Sequence, residues 1–452
     1  MSTNEPNDTI IIGAGLAGLS AAYHLKSNYK LIELNKEAGG FCRTKFINGF
    51  LFDYTGHLLH MKSEYVQHLV KQLLGDNLKK IERSSWIYSS NSLTPYPFQS
   101  NLYGLPPEVI KECLIGFIKS KYELREMEVN NFEDWVIKHL GSGIANRFMI
   151  PYNKKLWTVH PRDLTTEWLG NYVPTPKIDE IVDGALRVPE KKWGYNSYFY
   201  YPKYGGIYSL INEFLKYIDN NCIYYNKKIA NINTLEKIVT YSDGTKDTYK
   251  NIISTIPLIN LVNIIKPMPK EIHICAKKLK YNSILNINIG INEESNLDKH
   301  WIYFPEDQYI FYRIGFPASF SKSMAPSGCS SIYTEISYSD SVPLRYKSLE
   351  EIQKRVCADL IKTKFLNKLE NILFSFSIDI KPAYVIYDHN WFHAKNNIIN
   401  YLRGKNILSI GRYGSWEYSA MEDAILQGRD AAEFINSGVC YGNTSRISTN
   451  IK

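Results

Sequence analysis

Three glycines and one glutamate near the start of the chain have the types and spacing needed to bind a dinucleotide. Gly13, Gly15 and Gly18 form the pattern G-x-G-x-x-G directly after a short apolar run, and Glu33 follows at the distance expected of a ribose-binding acid. The glycines permit a tight turn and let the backbone approach a pyrophosphate, which the amides at a helix start favour. The carboxylate can accept a hydrogen bond from a ribose hydroxyl. These four residues therefore predict a dinucleotide site.

The flanking sequence predicts the strand, helix and strand that such a site requires. Residues 9–12 are β-branched and apolar, as expected of a buried parallel strand, and residues 19–26 have a helical pattern. Residues 30–34 predict a second strand that ends beside the glutamate. An ordinary α/β turn with an exposed glutamate is the alternative. The site is favoured because strand, glycines, helix and acid occur in the required order.

A second glycine-rich turn follows the acid. It contains Gly40 and Arg43, and the run F-D-Y-T-G-H then ends at His57. With these residues the region resembles the FAD-dependent family that includes amine oxidases, protoporphyrinogen oxidase and UDP-galactopyranose mutase. The resemblance implies that the region wraps the pyrophosphate and reaches the isoalloxazine ring, so FAD is favoured over NAD. It also implies that His57 lies beside the flavin and responds to its redox state, whereas an isolated histidine is more often structural.

Composition and charge argue against several other classes. The chain has 452 residues, 44% of them hydrophobic, and a formal net charge of +8 from dispersed lysines. This suits two or three globular domains and anionic small ligands or a weak membrane-surface contact, but not nucleic acid, because no basic stripe is present. Seven scattered cysteines without a C-x-x-C spacing favour a reducing compartment and argue against structural zinc, so no metal is expected. The short polar start predicts no signal peptide, no apolar run predicts a transmembrane segment, and the cytoplasm is the expected location.

The chain is predicted to be an α/β protein with three parts. A last buried strand runs into a turn with Gly411 and Arg412 before a helix, which suits the polar edge of a flavin. In the family the chain returns to the FAD domain after an insertion, so the resemblance implies a discontinuous Rossmann-type domain. The expected boundaries are 1–62, 203–265 and 395–436 for the FAD-binding domain, 63–202 for a mainly helical substrate-binding insertion, 266–394 for an antiparallel-sheet substrate domain, and 437–452 for a disordered tail.

Six motifs in order narrow the resemblance to UDP-galactopyranose mutases, particularly their eukaryotic branch, over nearly the whole chain. They are PYPFQSN, FMIPYNKKLW, WLG, YN-x-x-F-x-YP-x-x-GG, WIYFPED-x-x-x-FYR and GRYGSWEY. In those enzymes the reduced flavin N5 attacks the anomeric carbon as UDP leaves, and the sugar recloses with the other ring size. The resemblance therefore implies FAD that is active in its reduced form, NADPH or NADH as reductant, and a nucleotide-diphosphate sugar as partner. Association into a homo-oligomer stays open.

The motifs also imply roles for single residues. Six residues match the pocket for the nucleotide base: Tyr96, Phe98, Gln99, Phe148, Asn153 and Trp157. Aromatic faces can stack a pyrimidine while the two amides hydrogen-bond its edge, and core packing is the alternative for the aromatic residues. Arg313 matches an arginine that binds the diphosphate, a role for which bidentate contacts suit the guanidinium. Positions near the sugar and diphosphate are matched by Asn196, Tyr303, Tyr384 and Tyr418. The implied catalytic set is His57, Arg313, Tyr418 and Asn196.

Three departures from the family pattern affect the site, and one of them is a substrate tyrosine expected after FYR, where Phe316 or Phe320 stands. Tyr172 stands at a substrate position where the family has a second diphosphate arginine, and Glu422 replaces an asparagine near the cofactor. Losing a guanidinium opposite a diphosphate should weaken binding unless Arg187 or a lysine substitutes.

The favoured interpretation of the sequence is a flavin-dependent mutase that interconverts the pyranose and furanose forms of a UDP-sugar, such as UDP-galactose, for glycan-precursor biosynthesis. The alternative is an FAD-dependent oxidase or desaturase related to protoporphyrinogen oxidase or amine oxidases. A non-catalytic FAD-binding protein is less favoured, because an aromatic–amide pocket and Arg313 would have no purpose in it.

Overall fold

The fold is described from a computed structural model of the chain. It covers residues 7–170, 173–188, 197–295 and 297–438. Two of the predicted site residues, Tyr172 and Asn196, lie outside the described residues, as does nearly all of the predicted tail.

The described residues form nineteen β-strands and fourteen α-helices. The strands are β1 Asn7–Ile12, β2 Tyr29–Ile32, β3 Thr44–Ile47, β4 Phe50–Asp53, β5 Leu78–Glu82, β6 Ser85–Ser89, β7 Ser92–Pro95, β8 Tyr198–Pro202, β9 Ile223–Tyr224, β10 Ile229–Asn233, β11 Ile238–Tyr241, β12 Lys246–Ser254, β13 Ile265–Lys266, β14 Lys280–Ile291, β15 Trp301–Tyr303, β16 Arg313–Gly315, β17 Ser330–Tyr338, β18 Ile372–Ile386 and β19 Ile407–Ser409. The helices are α1 Leu16–His24, α2 Glu64–Leu74, α3 Pro107–Glu123, α4 Phe132–Ile144, α5 Ile150–Trp157, α6 Ile178–Leu186, α7 Tyr208–Leu215, α8 Leu258–Ile264, α9 Lys270–Lys278, α10 Pro317–Phe320, α11 Leu349–Lys362, α12 Trp391–Arg403, α13 Gly411–Gly414 and α14 Met421–Asn436.

An eight-stranded sheet forms the dinucleotide-type domain. Its strand order is β13-β10-β11-β12-β1-β2-β9, with β19 also paired to β12. The central strands β19, β12, β1 and β2 run parallel, and β1 and β12 each contain a fully buried isoleucine run, as expected when helices cover both faces. Because these strands come from three separate stretches of the chain, the predicted α/β fold with a discontinuous Rossmann-type domain is confirmed.

A seven-stranded sheet forms the second large layer. Its order is β18-β14-β17-β16-β15-β6-β7, and its neighbours are antiparallel except for the parallel pair β15 and β6. The strands β6 and β7 lie inside segment 63–202, which is predicted to be mainly helical. They join this sheet because Ser85 pairs with Trp301, a partner more than two hundred residues away. The sheet therefore extends beyond the predicted segment 266–394.

The helices α3, α4, α5 and α6 pack into a separate core within the same segment. Close approach of α3 and α4 depends on glycine: a side-chain carbon at Gly143 would lie 2.4 Å from the carbonyl oxygen of Glu112. This packing fixes α5, which carries several of the predicted site residues. Among the described residues, no helix combines the length and apolar character that a membrane crossing requires.

Two helices from opposite ends of the chain pack closely beside the glycine turn. Gly428 on α14 lies where a side-chain carbon would be 2.4 Å from the carbonyl oxygen of Ala17 on α1. The hydroxyl of Ser20 donates to the carbonyl of Ile425 at 2.6 Å. The loop before α14 is thereby held against α1, where a side-chain carbon at Gly411 would lie 2.9 Å from the Ala17 methyl carbon.

Candidate cofactor and substrate site

The first glycine turn between β1 and α1 is too tight for side chains. Gly13 has φ +97°, and a side-chain carbon there would lie 2.4 Å from the hydroxyl of Thr255. At Gly18 a side-chain carbon would lie 2.0 Å from the carbonyl oxygen of Gly13. The exposed face of this turn is therefore bare backbone, which is the surface that a pyrophosphate requires.

The second glycine turn packs directly on the first. Gly39 donates its amide to the carbonyl of Ala14 at 2.8 Å and forms an isolated bridge with Gly15. A side-chain carbon at Gly40 would lie 3.3 Å from the Gly15 α-carbon. Arg43 closes this turn, since its Nε donates to the carbonyl of Gly40 at 2.6 Å. The predicted residues of both turns thus form one continuous cradle.

Glu33 is the acid of the predicted ribose site. It directly follows β2, is 5% exposed, and accepts a hydrogen bond on Oε2 from the amide of Ala14 at 2.8 Å. The amide of Asn35 donates to Oε1 at 2.8 Å. A buried carboxylate held against the glycine turn, together with the bare backbone of the cradle, fits the ribose and pyrophosphate of FAD.

His57 is a partly buried histidine within reach of the charges of Arg412 and Arg313. Burial, together with the nearby charges of Arg412 and Arg313, lowers the pKa of His57 to about 4. The imidazole is therefore neutral at pH 7. Its Nδ1 atom is buried and makes no hydrogen bond with the described residues.

We expect Arg412→Met to raise the pKa of His57 toward the ordinary value, because Arg412 exerts the larger of the two charge effects. An NMR titration of the His57 imidazole measures this directly. Arg403→Met is the control, since Arg403 is an exposed residue at the end of α12. An unchanged His57 pKa in the Arg412 variant would contradict this electrostatic coupling.

Arg313 lies on β16, between one residue of each of the two neighbouring strands. It pairs in register with Tyr303 on β15 and with Glu335 on β17. Its Nε donates to Glu335 Oε2 at 2.9 Å, and its Nη2 donates to Glu335 Oε1 at 2.7 Å. The predicted diphosphate arginine is thus held by a bidentate ion pair inside the sheet.

The predicted aromatic residues form one cluster next to Arg412. The Tyr384 and Tyr418 rings stack at 5.9 Å, and the Arg412 guanidinium lies 5.2 Å and 4.8 Å from their respective centres. The Trp157 ring lies 5.4 Å from Tyr384. Tyr418 is 37% exposed, so the cluster reaches the surface. Five separate stretches of sequence contribute to this region, including that of Tyr96, whose ring lies 5.3 Å from that of Tyr303.

The other predicted base-pocket residues lie deeper. Phe98 and Phe148 are 0% and 3% exposed and stack at 5.1 Å within the helical core. Gln99 donates to the carbonyl of Pro174 at 2.7 Å. Asn153 accepts from the indole N–H of Trp157 at 3.1 Å. These contacts are those of a packed core, and a role of the four predicted residues toward a nucleotide base stays a prediction.

Glu422 has a structural partner in this fold. It lies in the first turn of α14 and accepts hydrogen bonds from the amides of Lys62 and Ser63 at 2.8 and 2.5 Å. The carboxylate therefore holds the start of α2 and needs no cofactor to explain its position. Arg187, considered as a substitute for the missing arginine, pairs at 3.4 Å with Asp183 and has a 70% exposed side chain. Within the part of the chain that the structure describes, no group of histidine, cysteine and acidic residues could hold a metal ion.

Sequence reasoning missed two residues of α5. Tyr152 stacks on Phe148 at 5.2 Å, and its ring lies 5.3 Å from that of Tyr303. Lys155 donates from Nζ to three backbone carbonyls, those of residues 304, 306 and 311, at 3.1, 2.8 and 2.7 Å. Both residues lie inside the motif FMIPYNKKLW, which also contains three of the predicted base-pocket residues. Their position next to those residues in the sequence was the signal that could have identified them.

His300 joins the start of β15 to the start of β6. Its Nδ1 accepts from the amide of Ser84 at 2.8 Å, and it is 5% exposed. Burial lowers its pKa to about 4. Since the unfolded chain binds this proton near pH 6.5 and the folded protein does so only near pH 4, the free energy of unfolding should fall as pH falls through that window, by up to about 3 kcal/mol.

We expect His300→Asn to reduce this loss, because an amide oxygen can accept the same hydrogen bond and does not titrate. Chemical denaturation at pH 6.5 and pH 4 measures the difference, with exposed His389→Asn as control. Other groups contribute equally to variant and wild type: burial also lowers the pKa of His57 and of His60 to about 4 and raises that of Asp53 to about 6. Equal acid sensitivity of variant and wild type would contradict the prediction.

Comparison with known proteins agrees with this geometry. Residues 11–73 match the model of an NAD(P)-binding Rossmann-like domain. The crystal structure of reduced UDP-galactopyranose mutase superposes with a TM-score of 0.91 at 27% identity, covering 96% of this chain and 94% of that one. A putative protoporphyrinogen oxidase from Exiguobacterium sp. 255-15 gives a TM-score of 0.74 at 15% identity, covering 97% of this chain and 100% of that one, a likeness of fold alone. An L-amino-acid oxidase from Vipera ammodytes ammodytes is 21% identical over 96% of this chain and 93% of its own length.

The fold and the glycine cradle define a flavoenzyme-type protein with a Rossmann-like dinucleotide-binding domain, and its neighbours support FAD as the dinucleotide. Within that class, the chain is UDP-galactopyranose mutase-like, with a similarity that extends over nearly all of both chains. The predicted resemblance to UDP-galactopyranose mutases is thus confirmed.

Proposed function

We propose that this protein is a flavin-dependent mutase that interconverts the pyranose and furanose forms of a UDP-sugar such as UDP-galactose. The observation that carries the proposal is the packing of Trp157, Tyr384 and Tyr418 around Arg412, within reach of the charge of Arg313, in a fold that superposes on UDP-galactopyranose mutase with a TM-score of 0.91. The proposal includes NADPH or NADH as reductant, a role in glycan-precursor biosynthesis, and the cytoplasmic location expected from the cysteines.

The chain's own residues would bind and orient the substrate. Bound FAD in its reduced form would supply the nucleophile for the sugar carbon. Arg313 would bind the diphosphate with the N–H groups that Glu335 does not use, because a guanidinium suits phosphate oxygens. Tyr384 and Tyr418 would shield the sugar from water on the side of Arg412, which lies over both rings.

His57 would act through its neutral imidazole. Because its pKa is lowered to about 4, the ring at pH 7 carries one proton and has one nitrogen free to accept another. A neutral ring near the charges of Arg412 and Arg313 can donate or accept a hydrogen bond without adding a third positive charge. This property suits a site whose cofactor changes its protonation on reduction.

A second candidate function is an FAD-dependent oxidase. It is favoured by the likeness to an L-amino-acid oxidase over 96% of this chain and by the fold of a putative protoporphyrinogen oxidase. An oxidase takes hydride from its substrate and passes the electrons to oxygen, whereas a mutase returns an isomer of unchanged mass and needs no oxygen.

The test uses the FAD-loaded full chain under anaerobic conditions. UDP-galactose is incubated with oxidised protein and with dithionite-reduced protein, and the nucleotide sugars are separated by chromatography and weighed by mass spectrometry. An isomer of unchanged mass that forms only with reduced flavin supports the proposal. No isomer from UDP-galactose or a panel of nucleotide sugars, together with aerobic peroxide formation from an amine, amino acid or porphyrinogen, would replace it with the oxidase.

A further inference from the structure

Glu335 is a buried carboxylate that the sequence analysis did not single out. It is 0% exposed on β17 and lies directly opposite Arg313 in the register of the sheet. We propose that Glu335 is a positioning residue that holds the Arg313 guanidinium by one edge and aims its other edge at the substrate's diphosphate. This inference rests on the proposed function, since it assigns Arg313 to the diphosphate.

The contacts of the carboxylate fix the orientation of the arginine. Both oxygens accept from one edge of the guanidinium, at 2.9 Å from Nε and 2.7 Å from Nη2. This two-point contact sets both the position and the plane of the group, which a single hydrogen bond does not. An arginine bound in this way cannot rotate its free edge away from the cleft without breaking both bonds.

The carboxylate is itself held in place. The hydroxyl of Tyr312 donates to Glu335 Oε2, and the backbone amide of Tyr312 donates to the Glu335 carbonyl at 3.0 Å. Glu335 therefore has partners on its backbone and on both side-chain oxygens. The rigid chain of contacts runs from the strand β17 through Glu335 to Arg313.

The arginine keeps donors for a ligand. A guanidinium has five N–H groups, and Glu335 accepts from only two of its nitrogens, Nε and Nη2. Nη1 makes no hydrogen bond within the described residues. The charge of Arg313 lowers the pKa of His57 and opposes the rise in the pKa of Tyr303 and Tyr384, so the guanidinium lies close to these three predicted site residues. Its side chain is 19% exposed, which leaves the unused donors accessible to a ligand.

A counter-ion beside a phosphate-binding arginine has a physical purpose. A buried guanidinium without a partner is costly, and a free one must be ordered when the ligand binds. Glu335 provides the buried guanidinium with a partner and orders it before the ligand binds. The diphosphate then meets donors that are already in place, which increases affinity for the charged part of the nucleotide and not for the base.

The experiment compares UDP with uridine, which lacks the diphosphate. Binding to the FAD-loaded full chain is measured by calorimetry for wild type, Glu335→Gln and Tyr312→Phe. We expect Glu335→Gln to weaken UDP binding about 10- to 100-fold, as for loss of a charged hydrogen bond, and to leave uridine binding unchanged. Tyr312→Phe should weaken UDP binding by about threefold, since it loosens the carboxylate without removing it.

Asp247→Asn is the matched control. Asp247 also accepts from a cation and a tyrosine, Lys30 at 2.7 Å and Tyr241 at 2.8 Å, but it lies in the other sheet. We expect Asp247→Asn to leave the affinities for UDP and for uridine unchanged. Thermal unfolding shows whether Glu335→Gln is folded. If it is not, the effect of Tyr312→Phe on UDP binding alone tests the positioning role of Glu335.

A double variant separates positioning from a general structural effect. In the Arg313→Lys background, Glu335→Gln should cause little further loss of UDP binding, because an ammonium has no fork for Glu335 to orient. Equal loss of UDP and uridine affinity in Glu335→Gln, or unchanged UDP affinity in both single variants, would overturn the inference while leaving the proposed function intact. Wild-type protein that binds neither UDP nor another nucleoside diphosphate would overturn both.

Discussion

Gly18→Val is expected to yield a protein that purifies without flavin. Any side-chain carbon at this position would lie 2.0 Å from the carbonyl oxygen of Gly13 and 3.1 Å from its carbonyl carbon. Both atoms belong to the backbone of the turn, so no side chain can move aside. The turn must open, and the bare backbone that faces the pyrophosphate is lost.

The size of this effect follows from the overlap. Forcing a branched side chain into such a contact costs about 3 kcal/mol, which is more than a hundredfold in affinity if it falls on the bound state. The ratio of visible flavin absorbance to protein absorbance after purification measures occupancy, and titration with FAD measures the dissociation constant.

Gly404→Ala is the control for a glycine replacement as such. Gly404 caps the end of α12 with φ −62°, and the nearest atom to a side-chain carbon there is 3.4 Å away. It should retain full flavin occupancy. A Gly18→Val protein that binds FAD as tightly as wild type would contradict the assignment of this turn to the cofactor.

Elements with local signals were predictable from the sequence. The helices α2, α4 and α11 each begin after a capping residue whose side chain accepts a hydrogen bond from the amide three residues later: Ser63, Asn131 and Ser348. The same holds for the glycine turns, whose residues act through their own backbone. Such features depend on neighbours a few residues away, which the sequence displays directly.

The pairing partners of the strands were harder to predict from the sequence. The strands β6 and β7 are short, and only their partner β15, far along the chain, fixes the sheet they join. Sequence periodicity predicts that such a segment is extended but not which strand it pairs with. This explains why segment 63–202 was assigned to a mainly helical insertion although it contributes two strands to the large antiparallel sheet.

The residues of the candidate site also divide into those with a local sequence signal and those that depend on distant partners. The glycines, Arg313 and the tyrosine cluster were identified through motifs, but Glu335 was not, although a single acid in the otherwise apolar and hydroxylic strand SIYTEISY was a visible signal. Its function arises from a cross-strand partner that lies 22 residues away in sequence. Phe98 and Phe148 show the converse: their motif suggests a ligand, and the structure stacks them on each other in a core.

Lys155→Met should destabilise the fold and weaken binding of the nucleotide sugar together. The ammonium group donates to the carbonyls of residues 304, 306 and 311, at 3.1, 2.8 and 2.7 Å. These carbonyls belong to the loop between β15 and β16, whose strands present Tyr303 and Arg313 side by side. Methionine keeps most of the side-chain volume but leaves three acceptors without their donor.

The expected loss in the free energy of unfolding is roughly 3 to 5 kcal/mol, because three backbone carbonyls lose the hydrogen-bond donor that they share. Chemical denaturation of the FAD-loaded protein measures it. A displaced loop should also raise the KM for the nucleotide sugar more than it lowers kcat, since Tyr303 and Arg313 would no longer be aligned for binding.

Lys154→Met is a closely matched control, because it makes the same substitution one residue earlier on the same helix, where the side chain is exposed. It should change neither stability nor KM appreciably. Lys155→Arg should recover part of the loss, since a guanidinium can still donate to more than one carbonyl. If Lys155→Met unfolds at the same denaturant concentration as Lys154→Met, the three contacts do not stabilise the loop; if it is unstable yet binds UDP-sugar normally, the loop does not position Tyr303 and Arg313.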